Sequence, residues 1–217
     1  MEDQNEALES MSPEPVGPPW EQPDAGDVVQ RLWKTIVTGV QAPSELFENM
    51  RTTGGLVQPL IFYAVIVGAA VIVSLILEMP IQLILGSPFG EAIFGFILVL
   101  VLLPILLPIG LFISSGLTHL ALMVFGSAKQ PYEATFRVNA YAYGSVGWTW
   151  AIPFCGSLIG GIWGIVLEII GIARVHQVST GMAAAAVLVP VAILILLAFC
   201  VAAIFGAALF GVLASSY

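Results

Sequence analysis

The sequence has few charged side chains. Asp, Glu, Lys and Arg make up 9% of its 217 residues, whereas an average soluble domain carries roughly 25%. Hydrophobic residues account for 59% of the chain, and the mean hydropathy is +0.99. So few polar side chains cannot cover a water-soluble globule. The composition therefore excludes an ordinary soluble protein and indicates that lipid surrounds most of the chain.

Cysteine, histidine and basic residues are also scarce. The two cysteines, Cys155 and Cys200, fall at a predicted turn and deep inside a predicted membrane helix, so we expect no disulfide between them. The six Lys and Arg residues form no basic patch, so nucleic acid is not an expected partner. No second His, Asp or Cys stands at ligand spacing from His119, so we predict no metal site.

The motifs of the common enzyme classes are missing. The sequence has no HExxH, no Gly-x-Ser-x-Gly, no GxxxxGK[ST] and no GxGxxG before a helix. The serines and cysteine in residues 114–116 and 155–157 have no base within reach along the chain. We therefore predict no catalytic residue, no cofactor and no enzymatic activity.

Long apolar runs are what the chain does have. A backbone in lipid must pair its polar groups internally, so membrane spans are helices or closed barrels. Runs of about 20 residues without alternation select helices. We predict an all-α, polytopic membrane protein of about five transmembrane helices, preceded by one or two interfacial amphipathic helices. The predicted spans are residues 57–79, 91–125, 133–152, 156–172 and 182–213.

Three segments of different composition follow one another. Residues 1–27 are acidic and rich in proline, with little to bury, and should be a disordered arm without a cleaved signal. Residues 28–52 carry a helical apolar stripe, which predicts amphipathic helices that lie in the headgroup layer or cap the bundle. Both positions stay open. Residues 53–217 form the predicted five-span domain.

The basic residues give the orientation. Arg31, Lys34 and Arg51 precede the first predicted span. Lys129 lies between spans two and three, Arg137 in the exposed first turn of span three, and Arg174 between spans four and five. All six therefore lie on one side, which the positive-inside rule assigns to the cytoplasm. We expect a cytoplasmic N-terminus and a C-terminus on the opposite side.

His119 and Glu168 fall within predicted spans, where charge is costly, whereas Glu78 and Glu91 fall at span ends and are expected to be solvated. Mirroring spans three and four about their turn sets Glu168 beside Tyr141. We predict that Glu168 is buried within reach of the Tyr141 hydroxyl or of Arg137; the alternative is that it snorkels to the interface. We expect His119 to hydrogen-bond to a neighbouring helix. A single carboxylate without a partner acid makes no acid/base site.

Small residues and prolines predict how the helices pack. Small residues at every fourth position let membrane helices approach closely. Six glycines of spans three and four fit this role: Gly144, Gly147, Gly156, Gly160, Gly161 and Gly164. Pro104 and Pro108 stand one turn apart in span two, where they predict a kink.

A set of short motifs resembles a known family. The residues that carry the resemblance are PSELFENM at 43–50, YEATFRVNAYA at 132–142, Ile152-Pro153, Gly156, GGIW at 160–163, Ile170-Gly171-Ile172, His176 and Ser179. In this order they resemble the Yip domain family of Ypt/Rab-interacting multi-span proteins, particularly its bacterial members, from Gln41 to the C-terminus. The resemblance implies five spans and a cytoplasmic N-terminus. The bare arm and the short loops favour a bacterial protein, which would lie in the plasma membrane. Eukaryotic relatives bind Rab-type GTPases and form hetero-oligomers, but their cytoplasmic motifs are not evident here.

Two function classes remain open. The first is a non-enzymatic membrane scaffold that organises the bilayer and recruits membrane-protein partners or further copies of itself. The second is a small transporter or channel subunit, with the kinked second span and Glu168 lining a path. Transporters usually show internal repeats, and no convincing repeat is visible, so the scaffold is favoured. A polar cavity that reaches the midplane near Pro104 and Glu168 would favour transport.

Overall fold

A computed structural model describes residues 16–215, with side chains described through residue 205. The helices in chain order are α1 Val28–Gln41, α2 Pro43–Glu48, α3 Val57–Ile84, α4 Phe89–Val124, α5 Tyr132–Val146, α6 Gly156–Val175 and α7 Thr180–Ser215. Short 3₁₀ turns cover Pro19–Glu21, Pro23–Ala25 and Gly147–Ala151. No strand occurs among the described residues, which confirms the all-helical class.

Four of these helices are long and apolar enough to cross a membrane. Within the described residues they are α3, α4, α6 and the Thr180–Phe205 part of α7. The multi-pass character is therefore confirmed, but the count of five is not. The predicted third span, residues 133–152, corresponds to α5 of 15 residues and the 3₁₀ turn that follows it.

Helix α5 is the centre of the bundle. It packs against α1, α3, α4 and α6, and every residue from Ala134 to Ala142 is buried. Its polar residues Thr135, Arg137 and Asn139 are fully inaccessible. Because buried polar side chains must be hydrogen-bonded, the other helices have to supply partners for them.

The segment before α1 is ordered, and the prediction of a disordered arm over residues 1–27 is wrong for residues 16–27. Trp20 is 8% exposed. Its indole Nε1 donates to the Gln58 carbonyl at 2.8 Å, and its backbone N–H donates to Thr35 Oγ1 at 2.8 Å. Burial of this large aromatic ring offsets the entropy that the segment loses on ordering. The acidic side chains alone would bury too little surface to do so. Residues 1–15 lie outside the described part of the chain.

Helix α1 is amphipathic and packs along α5. The Asp27 side chain caps it by accepting the Gln30 N–H at 2.8 Å. Gly39 lies directly against the Ser145 side chain, whereas Val29 and Trp33 on the outer side are exposed. Contact of this helix with the bundle is thus established, and a position in the headgroup layer stays a prediction.

The first predicted span ends at residue 79, but the helix that contains it is longer. Helix α3 continues through Pro80 to Ile84. A proline removes one N–H from the helix ladder and breaks a helix only where nothing else holds it, and here α4 packs alongside α3. Pro104 and Pro108 lie within α4, which is continuous from Phe89 to Val124; the kink there stays a prediction.

Candidate functional site

Arg137 is the most deeply buried charged side chain at the centre of the bundle. It is 0% exposed. Its Nε donates to the Arg51 carbonyl at 2.8 Å and its Nη1 to the Gly55 carbonyl at 2.9 Å. Its Nη2 donates to the Glu21 carboxylate at 2.5 Å. A buried guanidinium is tolerated only when it is paired and hydrogen-bonded, and this one is both.

Tyr141 completes this arrangement. Its hydroxyl donates to Glu21 Oε1 at 2.5 Å, one helical turn from Arg137 on the same face of α5. The Phe62 ring lies 5.2 Å from the Tyr141 ring and 6.2 Å from that of Trp20, so aromatic rings pack beside the tyrosine of this arrangement. We call Glu21, Arg137 and Tyr141 the Glu21 lock.

Glu168 forms a second polar cluster where α4, α5 and α6 meet. It is 2% exposed. Its Oε1 accepts from Thr118 Oγ1 at 2.8 Å and Asn139 Nδ2 at 3.0 Å, and its Oε2 accepts from the Tyr143 hydroxyl at 3.0 Å. We call these four residues the Glu168 cluster.

The predicted partners of Glu168, Tyr141 or Arg137, are therefore wrong. Residues 139 and 143 are one turn apart and face α6, whereas Arg137 and Tyr141 share another face of α5, because each residue turns a helix by about 100°. Counting residues from the turn put Glu168 at the correct height along α5, but it could not determine which face of α5 points toward Glu168.

Replacing Glu168 by Gln should destabilise the fold. All three partners donate to the carboxylate, so an amide NH2 would require the Tyr143 hydroxyl to turn and accept instead of donating, and the stronger bonds to a charged acceptor would be lost. We expect a loss of about 1–2 kcal/mol, measured as a lower melting temperature of detergent-purified protein. Glu91→Gln, at an exposed position in the first turn of α4, is the matched control and should leave melting unchanged. Equal melting of both variants would contradict the role of the Glu168 cluster.

His119, Thr135 and His176 form a hydrogen-bonded chain. The Gln130 N–H donates to His176 Nδ1 at 3.3 Å, so the proton of neutral His176 lies on Nε2 and points to Thr135 Oγ1 at 2.9 Å. The Thr135 hydroxyl then donates to His119 Nδ1 at 2.8 Å. His119 thus bonds to a neighbouring helix and, like its partners, serves to join α4, α5 and the end of α6.

Acidification should weaken this chain of bonds. Burial, together with the smaller effect of the nearby His119, lowers the pKa of His176 to about 4. The unfolded chain takes up this proton near pH 6.5 and the folded chain only near pH 4, so stability is full above 6.5 and falls between these values. We expect a loss on the order of 2 kcal/mol over that window, measured as melting temperature against pH. In His176→Gln this part of the pH dependence should disappear; an unchanged profile would contradict it.

Five of the six predicted packing glycines have no room for a side chain. A Cβ at Gly144 would lie 2.6 Å from the Phe62 ring, one at Gly147 2.6 Å from Val67 Cγ2, and one at Gly164 2.5 Å from the Tyr143 ring. At Gly156 and Gly160 it would collide with Thr149. The prediction for Gly161 is wrong, since a Cβ there meets nothing within 4 Å: it lies beside the packing stripe.

Several polar residues at these sites were not predicted from the sequence. Asn139 and Tyr143 carried a usable signal, because a polar i,i+4 pair in an apolar hairpin indicates a buried hydrogen-bonding face. Glu21 carried almost none, since it is one of eight acidic residues before α1. The neighbouring Trp20 was the available hint, because an aromatic residue seldom stays exposed in a disordered arm.

Beside the segment before α1 opens a groove of about 300 Å³, whose lining includes the polar residues Gln22, Thr38, Glu45 and Asn49. Among the described residues, no group of three His, Cys, Asp or Glu side chains could hold a metal ion. A groove of about 360 Å³ between α1 and Trp148 is lined by apolar side chains, with Gln41 at its edge. A similar groove separates α4 from α7. Neither is lined by Glu168 or Pro104.

Comparison with known proteins identifies the family. No curated protein and no solved structure matches the chain. The family model of the Yip1 domain matches residues 39–203, which include α2 to α6, Arg137 and the Glu168 cluster but not Glu21. Since this match covers most of the sequence, the chain belongs to the Yip1 domain family.

Proposed function

We propose that this protein is a non-enzymatic membrane scaffold, which organises the bilayer around it and recruits other membrane proteins or further copies of itself. The observation that carries the proposal is the closed polar interior. Within the Glu21 lock, and separately within the Glu168 cluster, the polar side chains form hydrogen bonds with one another. Among the described residues only Arg31 Nε and Ser145 Oγ are buried without a partner.

Recruitment would occur at one end of the bundle. We define the basic end as the end that carries Arg31, Lys34, Lys129 and Arg174, and we propose that it faces the cytoplasm of a bacterium whose plasma membrane holds the protein. Here α1 exposes 73% of Val29 and 64% of Trp33. Apolar side chains beside cations suit contact with lipid headgroups and with partner helices.

The transporter alternative has less support. A solute path needs polar groups that are free to bind the solute, and each carboxylate oxygen of Glu168 already has a donor on a neighbouring helix. Pro104 lies on α4, whose neighbouring residues Ile105 and Leu106 are more than half exposed and so face lipid in a membrane rather than an aqueous path.

Photo-crosslinking in native membranes tests the scaffold. A photoreactive residue at position 33 should give protein adducts of defined mass, and one at position 105, the matched lipid-facing control, should give only lipid adducts. Equal, protein-free labelling at both positions would contradict recruitment through α1. A solute flux in proteoliposomes that Glu168→Gln abolishes without lowering melting temperature would favour the transporter instead.

A further inference from the structure

The tip of the α5–α6 hairpin lies beside the middle of α3. Gly144 contacts Phe62, and Gly147 contacts Val67. Both contacts advance along the chain in the same direction, so α5 and α3 run parallel from the basic end. The chain then turns at residues 152–155 and returns as α6, with Gly164 against Tyr143 and Gly171 against Val138. Gly147 is level with Val67, and the 3₁₀ turn Gly147–Ala151 carries the tip about 10 Å further along α3.

Helix α3 continues far beyond this level. From Val67 to Ile84 it adds 17 residues, which is about 25 Å of helix, so roughly 15 Å extends past the tip. Helix α4 runs alongside, since Leu107 and Leu103 contact Gly68. The extension exposes apolar side chains on both helices: Val73, Ile76, Leu77, Ile84, Phe94, Ile97 and Val101 are all more than 40% exposed.

This geometry keeps the tip away from the far membrane surface. A hydrocarbon core is about 30 Å thick. If the tip emerged on the far side, the roughly 15 Å of α3 beyond it, with α4 alongside, would stand in water with its apolar side chains uncovered, which the hydrophobic effect opposes. Glu78 and Glu91 are the only charged residues between Val67 and Leu107, too few to solvate it.

The tip itself is built for lipid. Residues 138–167 contain no Asp, Glu, Lys or Arg, and Phe154 and Leu158 are 78% and 65% exposed. Irregular backbone in hydrocarbon must be satisfied internally. Here the Ile152 N–H donates to the Thr149 carbonyl at 2.9 Å and the Gly156 N–H to the Ile152 carbonyl at 3.0 Å. The Thr149 hydroxyl bonds the Val146 carbonyl at 2.8 Å.

We propose that the α5–α6 hairpin is a re-entrant element, which enters the bilayer from the basic end and turns back among the acyl chains. Helix α6 is long enough to cross, but its position beside α5 holds it too near the basic end. The crossing helices are then α3, α4 and α7. Three crossings, like five, leave the termini on opposite sides and all six cations on one side. The proposal is independent of the scaffold function.

Labelling of Cys155 at the tip tests the proposal. In a Cys200→Ser protein, Cys155 is the single thiol for a membrane-impermeant maleimide, applied to right-side-out and to inverted membrane vesicles. Two controls in a Cys155→Ser, Cys200→Ser background report the two aqueous sides: Ser87→Cys in the α3–α4 turn and Ser179→Cys before α7. Because maleimide needs a hydrated thiolate, we expect Cys155 to react at least about tenfold more slowly than the accessible control from either side, and to react fully in detergent.

Each other result overturns the proposal. Labelling of Cys155 from the Ser87 side, at the rate of that control, would show a tip at the far surface and a fully spanning hairpin. Labelling from the Ser179 side would show a tip outside the bilayer. Slow labelling could also result from a second copy of the chain that covers Cys155. A second experiment separates this case from burial in lipid: bimane is attached to Cys155 in detergent, and the protein is reconstituted with nitroxide lipids. Nitroxides on the acyl chain should quench it more than nitroxides on the headgroup, and absence of quenching would exclude lipid contact.

Discussion

Replacing Glu21 by Ala should lower the free energy of unfolding by about 3–5 kcal/mol, because removal of one partner leaves a buried charge uncompensated. Arg137 has 0% side-chain exposure and Glu21 only 7%, so water cannot take the place of the lost carboxylate. The Tyr141 hydroxyl would lose its acceptor as well. The measurement is thermal unfolding of purified protein in mild detergent, followed by the loss of monodisperse protein on size exclusion.

The surface ion pair of Arg174 and Glu48 is the matched control. Its side chains are 51% and 54% exposed at a separation of 3.0 Å. Exposed pairs contribute roughly 0–1 kcal/mol, so Glu48→Ala should melt close to the parent protein. The double variant Glu21→Ala, Arg137→Met should recover part of the loss, since it removes the unpaired charge. If Glu21→Ala and Glu48→Ala melted alike, the Glu21 lock would not hold the fold.

Replacing Gly156 by Ala should cost about 3 kcal/mol, the upper part of the usual range for overpacking. The added methyl would run into the Thr149 carbonyl oxygen. That oxygen belongs to the backbone of the 3₁₀ turn and is bonded to the Ile152 N–H, so it cannot move aside as a flexible side chain would. The hairpin would have to open at its tip, and melting temperature in detergent measures the loss.

Gly161→Ala, in the same helix, separates packing from helix propensity. A Cβ at Gly161 meets nothing within 4 Å, so Ala should be neutral or should stabilise α6 by up to about 1 kcal/mol. Both variants make the same chemical change in one helix. A similar loss at both positions would mean that helix contacts at the hairpin tip do not limit stability.

Sequence reasoning recovered the features that depend on composition and period. Apolar runs predicted α4 from 91–125, close to the observed Phe89–Val124. The prediction succeeds because a continuous apolar segment in a membrane must pair its own backbone groups, which a helix does. The four-residue spacing of glycines found the tight α5–α6 contact. It failed at Gly161 because this residue is rotated by about 100° from Gly160 around the helix, and the spacing alone does not show which of the two faces the neighbouring helix.

The buried polar contacts were harder to predict, for a physical reason. Arg137 looked like an ordinary loop-side cation, and its acceptors on Glu21, Arg51 and Gly55 are 82–116 residues away along the chain. Apart from the neighbouring Trp20, nothing in the local pattern distinguishes Glu21 from the seven other acidic residues before α1. Only the three-dimensional arrangement shows which carboxylate neutralises the buried guanidinium.

Glu21 also lies outside the segment that matches the Yip1 domain, residues 39–203. The polar centre of this protein is thus completed by a side chain supplied from before the domain, together with Trp20 against Phe62. We expect that the domain without residues 16–27 would expose Arg137 and Tyr141 at the basic end. The N-terminal segment is therefore part of the fold.

The central claim is that the segment around Glu21 is docked in the folded membrane protein. Digestion with a glutamate-specific protease tests it most directly, in native membrane vesicles that expose the basic end on their outer surface. Mass spectrometry of the membrane-bound fragments should show cleavage after glutamates in residues 1–15 and none after Glu21, whose side chain is nearly inaccessible. Cleavage after Glu21 as fast as after those earlier residues, while the helices stay folded, would contradict the claim.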